Sequence, residues 1–409
     1  MSSADTSTPP ADTPTAPAEP VGGAPTWDLL EIPTGPGTPF DDPQVAWGQA
    51  GLSAVQWEVE QDSRGYVDHW APLPVWVGIL RDDSYERRVL RVAVRSGTGP
   101  TPTADDVIGA AVTFLPRHDN TRTASVYALV RPAARGHGLG AALLADGEAI
   151  AAREGRTTVI AQSAAEPEPP TGPGAVVPST GSGRVGATTP AARLARRRGY
   201  TLEQVARSSC LRLPVPDETF ARLDAQVTAA RDADAYTVHT WWHTVPEEWH
   251  EQLAVLFGRM STDAPTGGLD VDEAAWDAAR VQAHLAAHDD QRQILLFSVA
   301  EHRSTGTLAA FTILQLPDFE NIPFAFQQDT LVLREHRGRR LGLRIKLANL
   351  REAVRRRPYL ERVHTVNADE NAPMLAINVA MGFAPDGSMG IWQRHLPPGG
   401  PVQPPGGSH

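Results

Sequence analysis

The sequence predicts a mixed α/β fold built from two tandem domains, and three observations lead to this prediction. The chain has 409 residues, which is too long for one typical hydrophobic core. One pattern occurs twice: an apolar strand, a glycine-containing turn, and a helix with apolar residues at helical spacing. The first copy covers Val130–Ile150 and the second covers Val332–Arg357. The repeat therefore predicts one supersecondary unit in each half of the chain.

A glycine-containing turn joins the strand to the helix in both copies. The turn reads Arg135-x-x-Gly138-x-Gly140 in the first copy and Arg337-x-x-Arg340-x-Gly342 in the second. A helix that begins at such a turn presents unpaired backbone N–H groups, and its dipole favours negative charge. Each turn is therefore predicted to bind an anion, and its glycines let the backbone approach the ligand closely.

Positive charge is concentrated around the second turn. Between Arg334 and Arg362 lie eleven Arg or Lys residues and three Glu, a local charge of +8 in a chain of net charge −11. A basic, solvated helix face is one explanation of this pattern. The second copy of the turn favours anion binding instead, because both turns stand between a strand and a helix.

The elements of the first half follow from the alternation of apolar and polar residues. Residues 27–74 contain scattered aromatic and turn residues and allow no assignment. The pattern then predicts strands at Arg87–Arg95, Val107–Leu115 and Thr123–Val130, a helix at Gly140–Glu154, a strand at Thr157–Ala161 and a helix at Ala191–Gly199. The Gly/Pro/Ser-rich segment Glu166–Pro190 is predicted to be a flexible insertion.

The elements of the second half lead from a linker to the second turn. The pattern predicts helices at Phe220–Ala233, Trp241–Met260 and Asp272–Ala287, a hairpin of Ile294–Ala300 with Thr307–Leu314, a strand at Phe324–Leu333 and a helix to Arg357. Pro358 ends that helix. The predicted division is a disordered tail at 1–25, an N-terminal domain at 26–214 with the insertion at 165–190, a linker helix at 215–236, a C-terminal domain at 237–398 and a flexible tail at 399–409.

Composition excludes several functional classes. A hydrophobic content of 41% and a charged content of 21% suit a globular protein, and no run of 18 apolar residues could span a membrane. The N-terminus lacks the features of a signal peptide, so a cytoplasmic location is expected. The single cysteine, Cys210, excludes an internal disulfide and a cysteine zinc site. The acidic balance argues against nucleic-acid binding, and no metal-ligand spacing is present.

Both turns resemble the acetyl-CoA pyrophosphate loop of the GNAT superfamily of N-acetyltransferases, Arg/Gln-x-x-Gly-x-Gly/Ala. Two copies resemble the tandem GNAT proteins, such as the mycothiol synthase-like proteins of actinobacteria, over residues 72–214 and 237–398. The resemblance implies two acyl-CoA N-acyltransferase domains, each with a mixed, mostly antiparallel sheet flanked by helices. Basic residues are arginine everywhere except Lys346, and with heavy use of Ala, Gly and Pro this fits a GC-rich, actinobacterial genome.

The resemblance also implies which residues bind acetyl-CoA. In the second half these are Leu331, Val332, Leu333, Arg337, Gly338, Arg339, Arg340, Leu341, Gly342, Asn367 and Asn371. In the first half they are Val130, Arg135, Gly136, His137, Gly138, Leu139 and Gly140. Arg340 departs from the usual glycine, although its side chain could itself bind phosphate. Capping of the following helix is an equal and compatible role for Asn367 and Asn371.

Catalytic residues are expected in the second half. In many members of the superfamily a strand carboxylate is the base, and Asp329 is the best-placed carboxylate; a purely structural role for it stays open. A Tyr that serves as the acid in the family is replaced by Asn378, which could hydrogen-bond the thiol sulfur. The first half carries Thr188 and Ala195 where the second carries Asn371 and Asn378. The N-terminal domain is therefore expected to be degenerate. His336 and His364 could titrate near neutral pH, but a structural role is more common.

The sequence thus predicts transfer of an acetyl group from acetyl-CoA to an amine of a small molecule, directly in a ternary complex and chiefly in the C-terminal domain. The expected partners are acetyl-CoA and the amine, with no metal, nucleic acid or membrane, in a monomer or homodimer. Mycothiol synthase-like acetylation and self-resistance to an amine antibiotic are alternatives of the same class. A non-catalytic acyl-CoA-binding regulatory protein is an alternative of another class.

Overall fold

A computed structural model describes residues 26–397, so the tails predicted at 1–25 and 399–409 lie outside the described residues. The first half contains β1 (Trp27–Ile32), α1 (Pro43–Arg64), α2 (Leu73–Arg81), β2 (Glu86–Arg95), β3 (Val107–Pro116), β4 (Thr123–Val130), α3 (Leu139–Arg153), β5 (Thr158–Gln162), β6 (Ala175–Val176), β7 (Val185–Gly186), α4 (Pro190–Arg197) and β8 (Thr201–Arg212). The second half contains α5 (Asp217–Thr228), β9 (Tyr236–Trp242), α6 (His250–Asp263), α7 (Ala278–Asp290), β10 (Gln293–His302), β11 (Thr307–Pro317), β12 (Phe324–Val332), α8 (Leu341–Arg356), β13 (Arg362–Ala368), α9 (Ala372–Met381) and β14 (Ala384–His395).

Twelve strands form one continuous sheet in the order β1-β2-β3-β4-β5-β14-β8-β13-β12-β11-β10-β9. The strands pair antiparallel except at β4 with β5 and at β12 with β13. At the centre the two halves exchange their last strands: β14 lies between β5 and β8, and β8 lies between β14 and β13. The mixed, mostly antiparallel sheet with flanking helices confirms the predicted fold class.

Helix α8 shows how the apolar periodicity places the second turn. Leu343, Leu347 and Leu350 recur on one face of the helix and are buried against the sheet residues Leu314 and Val363. Full burial of each such side chain contributes on the order of 2 kcal/mol before the cost of ordering it. This packing fixes the N-terminus of α8 at the end of β12.

Each parallel pair separates after four residues. Strand β12 pairs with β13 from Phe324 to Gln327, and β4 pairs with β5 from Thr123 to Val126. Beyond these points the strands diverge. Each half therefore has an open fork in the sheet, directly in front of its glycine-containing turn.

Some predicted elements are wrong, and the reasons are physical. The helix predicted at Trp241–Met260 is a strand as far as Trp242 and a helix only from His250, because Trp241 and Trp242 pair with β10 and Pro246 interrupts the segment. The region with no assignment holds β1, the start of α2 and the 22-residue α1, whose buried face includes the polar residues Gln49 and Ser53. Their polarity hides the helical periodicity.

Smaller departures concern boundaries and the insertion. Helix α7 begins at Ala278 rather than Asp272, because the Asp277 side chain accepts a hydrogen bond from the Arg280 N–H and caps it there. The segment predicted to be a flexible insertion contains the paired strands β6 and β7, and Val185 of β7 is buried. None of the helices in the described part of the chain is both long and apolar enough to cross a membrane.

Candidate functional site

The fork between β12 and β13 opens into a cleft of about 1080 Å³. The second turn and the start of α8 form one end, and the residues that follow the last β12–β13 pair form the walls. Its lining includes the predicted site residues Asp329, Gly338, Arg340, Gly342, Asn367 and Asn371. The structure thus brings together, at one fork, residues that the sequence places more than 40 positions apart.

The two turns have the same backbone conformation. Gly338 and Gly136 both have positive φ, at 79° and 87°. The next key position is the N-cap of the following helix, where Arg340 has φ 55° and Gly138 has φ 90°. Arg340 therefore keeps the left-handed geometry of the glycine that the first turn has at this position, and the start of α8 lines the end of the cleft.

The arginines of the turn have different roles. The Arg337 guanidinium donates to the Val332 carbonyl at 3.0 Å and to Asp263 at 2.8 Å. Arg135 makes the equivalent bonds to the Val130 carbonyl and to Asp62. These side chains tie each turn to its own strand and to a helix, and Arg337 also lines the cleft. Arg339 likewise donates to Asp232 and to the Glu335 carbonyl.

Strand β12 contains a β-bulge at the fork. Thr312 pairs with Thr330 and Leu314 pairs with Gln327, so Gln328 and Asp329 together oppose Ile313. A bulge leaves backbone groups outside the ladder and redirects a side chain. In the first half, by contrast, β3 pairs with β4 without interruption from Gly109 to Phe114.

Asp329 lies in the bulge and faces the cleft. Its side chain is exposed to the open cleft, so the surrounding walls desolvate the carboxylate only in part. This desolvation raises the pKa of Asp329 above its ordinary range. A carboxylate with a raised pKa is a better proton acceptor than an ordinary one.

The opposite wall carries a chain of three hydrogen-bonded side chains. The Lys346 ammonium donates to Asn378 Oδ1 at 2.8 Å, and Asn378 Nδ2 donates to Asn367 Oδ1 at 2.7 Å. Asn371 caps α9, because its side chain accepts a hydrogen bond from the Met374 N–H at 3.3 Å. The capping role is therefore confirmed for Asn371, whereas Asn367 points along the cleft wall.

The first half contributes residues to this cleft that the sequence did not indicate. His69, in the segment between α1 and α2, lines the cleft with Phe326 and His364. His364 Nε2 lies 2.7 Å from Asp68, and a carboxylate only accepts, so Nε2 carries the proton. Nδ1 of His364 is buried and has no partner among the described residues. Burial, aided by the positive charge of Arg64, lowers the pKa of His69 to about 3.

The same cluster contains a group of side chains with the spacing of metal ligands. His69, His364 and Asp386 each offer one ligand atom within 4.8 Å of the others. The guanidinium of Arg64 lies 3.7 Å from Asp386, and it already supplies the positive charge that a cation would bring. His336, the other histidine singled out by the sequence, is bonded through Nδ1 to the Tyr236 hydroxyl at 2.8 Å.

The corresponding fork of the first half is filled differently. Its cavity measures about 320 Å³ and is lined by Gln56, Trp76 and Tyr127. Tyr127 occupies the position equivalent to the bulge and pairs with Val112. Its hydroxyl lies 3.4 Å from the Gln56 amide. The first half therefore has a tyrosine where the second has a bulge and a carboxylate.

No family sequence model matches the chain, and no curated protein matches it in sequence. A tandem GNAT protein from the clavulanic acid biosynthesis pathway superposes with a TM-score of 0.66 at 24% identity, over 91% of this chain and 100% of that one. A GCN5-related N-acetyltransferase from Sphaerobacter thermophilus gives 0.53 at 15% identity, over 91% and 98%. A GCN5-related glucosamine N-acetyltransferase region of a fungal β-N-acetylglucosaminidase gives 0.52 at 15% identity, over 91% and 38%. These likenesses show the tandem GNAT fold.

Proposed function

From the tandem GNAT fold and its cleft we propose that the chain is an N-acetyltransferase, which transfers the acetyl group of acetyl-CoA to an amine of a small molecule. The observation that carries the proposal is the coincidence of four features at the fork of the second half. These are a helix N-terminus behind a left-handed turn, a β-bulge, a desolvated carboxylate and a cleft of about 1080 Å³. A cytoplasmic location fits this cosubstrate.

The proposed position of acetyl-CoA follows from its charges. The pyrophosphate binds the N–H groups at the start of α8, beside Gly338 and Gly342, with the Arg340 guanidinium as a further donor. Arg340 forms no ion pair with a described residue and lines the cleft, so its charge is available. The pantetheine arm then runs between Val332 and Asn367 towards the bulge.

The proposed chemistry uses Asp329 as the proton acceptor. An amine attacks a thioester only when it is neutral, so its ammonium proton passes to the Asp329 carboxylate, directly or through water. The amine nitrogen attacks the carbonyl carbon, and backbone N–H groups freed by the bulge stabilise the negative oxygen. The C–S bond then breaks, its electron pair stays on sulfur, and the second amine proton neutralises the thiolate.

Direct transfer is preferred to a cysteine intermediate. Burial raises the pKa of Cys210 to about 11, so its thiol stays protonated near neutral pH and is a weak nucleophile. Cys210 also lies in β8, outside the lining of the cleft. A ternary complex of protein, acetyl-CoA and amine therefore needs no covalent enzyme intermediate.

We assign turnover to the second half, within the proposed domains 26–214 and 237–398 joined by 215–236. The first half has an uninterrupted β4, caps α4 with Thr189 rather than Thr188 where Asn371 caps α9, and carries Ala195 at the position of Asn378. Its turn keeps the left-handed glycines, which supports retained binding of an anion there. The first half is thus proposed to be a degenerate partner that completes the shared sheet.

A thiol-release screen tests the proposal. The full chain is incubated with acetyl-CoA and a panel of small-molecule amines, and free CoA is measured, while calorimetry records acetyl-CoA binding. Release of CoA that depends on one class of amine supports an N-acetyltransferase. Tight acetyl-CoA binding with no release for any amine would favour a non-catalytic acyl-CoA-binding protein. Absence of binding would overturn the assignment of the cleft.

A further inference from the structure

A buried lysine stands behind the wall of the cleft. The side chain of Lys346 is 1% exposed, and its ammonium lies among Asn378, Met374 and the ring of Phe383. Met374 lines the cleft, so the ammonium is separated from the cleft by one side chain. Lys346 is also the single lysine of the chain.

This ammonium fixes the direction of the hydrogen-bonded chain that leads to the cleft. Lys346 only donates, so the atom of Asn378 that faces it must be the carbonyl oxygen. The amide nitrogen of Asn378 then faces Asn367 and donates to its oxygen. The Asn367 amide nitrogen is therefore the end that remains for the cleft. A neutral residue at position 346 would leave both amides free to turn over.

The arrangement costs stability, which argues that it is kept for another reason. The ammonium has one oxygen acceptor, at 2.8 Å, and a thioether at 3.9 Å. Desolvation by burial lowers its pKa to about 7, and no described carboxylate forms an ion pair with it. An isolated buried cation without a carboxylate is unfavourable for folding. In the first half the equivalent positions carry Leu144 and Ala195, and both are buried apolar residues.

We propose that Lys346 is a positioning residue of the acetyl-transfer site, which presents the Asn367 amide to the leaving sulfur and supplies the positive charge that stabilises the thiolate. This inference rests on the proposed function. As the C–S bond breaks, the electron pair moves to sulfur, and the field of the buried ammonium lowers the energy of that charge. Lys346 keeps its proton, because the proton that neutralises sulfur comes from the attacking amine.

The first experiment compares Lys346→Met with Lys346→Arg in the full chain. Lys346→Met is expected to lower kcat for CoA release by about thirtyfold or more, with acetyl-CoA affinity within about threefold. Lys346→Arg keeps the charge and should recover part of the loss. Asn378→Leu cuts the chain of amides, so the double variant should be no slower than the slower single variant. Unchanged kcat in Lys346→Met would overturn the proposal.

A pH profile separates this role from a structural one. The ratio of wild-type kcat to that of Lys346→Met should fall as the pH rises above about 7, where Lys346 loses its charge. The acceptor amine titrates identically in both proteins, so it cancels in the ratio. A ratio that is flat between about pH 6 and 9 would contradict charge stabilisation.

The single lysine also allows a test that needs no acceptor. Protein labelled with ¹³C-lysine gives one side-chain signal, whose titration reports Lys346 directly. Saturating CoA, which carries a free thiol, is expected to raise the titration midpoint more than acetyl-CoA does, because a thiolate stabilises the ammonium. Binding of CoA without any change in this signal would overturn the inference about Lys346 but not the proposed function. Failure of both ligands to bind would overturn the proposed function with it.

Discussion

Arg340 and Gly138 adopt the same left-handed backbone conformation at equivalent helix N-caps, one with φ 55° and the other with φ 90°. Glycine reaches this conformation at no steric cost, whereas a residue with a side chain loses about 1 kcal/mol there. The Arg340 side chain lines the cleft. We therefore attribute the backbone strain at Arg340 to a need for a guanidinium group at this position of the cleft.

Replacing Arg340 by glycine separates the backbone from the side chain. Arg340→Gly should increase the free energy of unfolding by about 1 kcal/mol, because the strain is relieved. It should weaken acetyl-CoA binding by about tenfold, because one charge-assisted bond to phosphate is lost. Chemical denaturation and calorimetry give the two values. Unweakened binding would show that the backbone N–H groups alone hold the phosphates.

Gly342 and Gly140 form a matched pair for testing which half is active. A Cβ atom on Gly342 would lie 3.3 Å from Ile377 and 3.6 Å from Val332, and one on Gly140 would lie 3.6 Å from Leu194. Gly342→Glu should abolish acetyl-CoA binding at the second fork, by steric conflict and by negative charge. Gly140→Glu should change turnover by less than about threefold relative to the wild type, while it lowers the stability of the fold or removes one CoA-binding site. Circular dichroism verifies that both variants fold. Loss of turnover in folded Gly140→Glu would place the active site in the other half.

The sequence identified the turns and strands because these depend on local signals: glycine spacing, apolar alternation and Pro358. It also placed Asp329 and Asn367 at the cleft. It could not show the exchange of β8 and β14, because pairing between distant strands leaves no local signal. His69 reaches the cleft, and Asp68 reaches His364, only through this tertiary arrangement. Lys346 had a visible signal, its uniqueness in the chain, but its burial depends on packing that no periodicity reports.

The Asp68–His364 contact joins the two halves and should stabilise both. Burial raises the pKa of Asp68, but hydrogen bonds from His364 and Arg362 outweigh it, so the pKa lies below its ordinary value. A lowered carboxyl pKa stabilises the fold at pH values above the pKa of the unfolded state, which is about 4. This stabilisation is lost as the pH falls through the pKa of the folded state. Asp68→Asn should therefore cost about 2 kcal/mol at pH 7 and less in acid.

A matched control for Asp68 is available at the surface. Asp62 forms an exposed ion pair with Arg135 at 2.6 Å. Asp62→Asn should change the free energy of unfolding by less than about 1 kcal/mol, because solvent screens the pair. Urea denaturation at pH 7 and at about pH 4 measures both variants. Equal effects of the two substitutions would mean that the contact between the halves adds no special stability.

Asp329→Asn tests the proton acceptor. The amide keeps the shape of the carboxylate but cannot take a proton, so kcat/KM should fall by about a hundredfold with acetyl-CoA affinity nearly unchanged. In the wild type, activity should be lost as the pH falls through the raised pKa of Asp329, because the carboxylate is the active form. In the variant, the residual rate should rise with pH as more amine becomes neutral. Asp318→Asn, outside the cleft, serves as the control. A normal rate at neutral pH would leave Asp329 a structural residue and move attention to His364.

The stability of Lys346→Met should depend on pH in a direction that the lysine's environment fixes. The pKa of Lys346 is lowered from 10.5 to about 7 in the folded chain. Below pH 7 the lysine is charged in both states, and folding carries the full cost of burying the charge. Between pH 7 and 10.5 the folded state is neutral while the unfolded state still binds a proton, so stability rises with pH and the cost declines.

Methionine removes that cost but leaves Asn378 Oδ1 without its donor. The variant should therefore be more stable than the wild type by about 2–3 kcal/mol near pH 6, and this advantage should vanish towards pH 10. Chemical denaturation across this range measures the difference. A variant that is less stable than the wild type at every pH would mean that Lys346 serves the fold rather than the reaction.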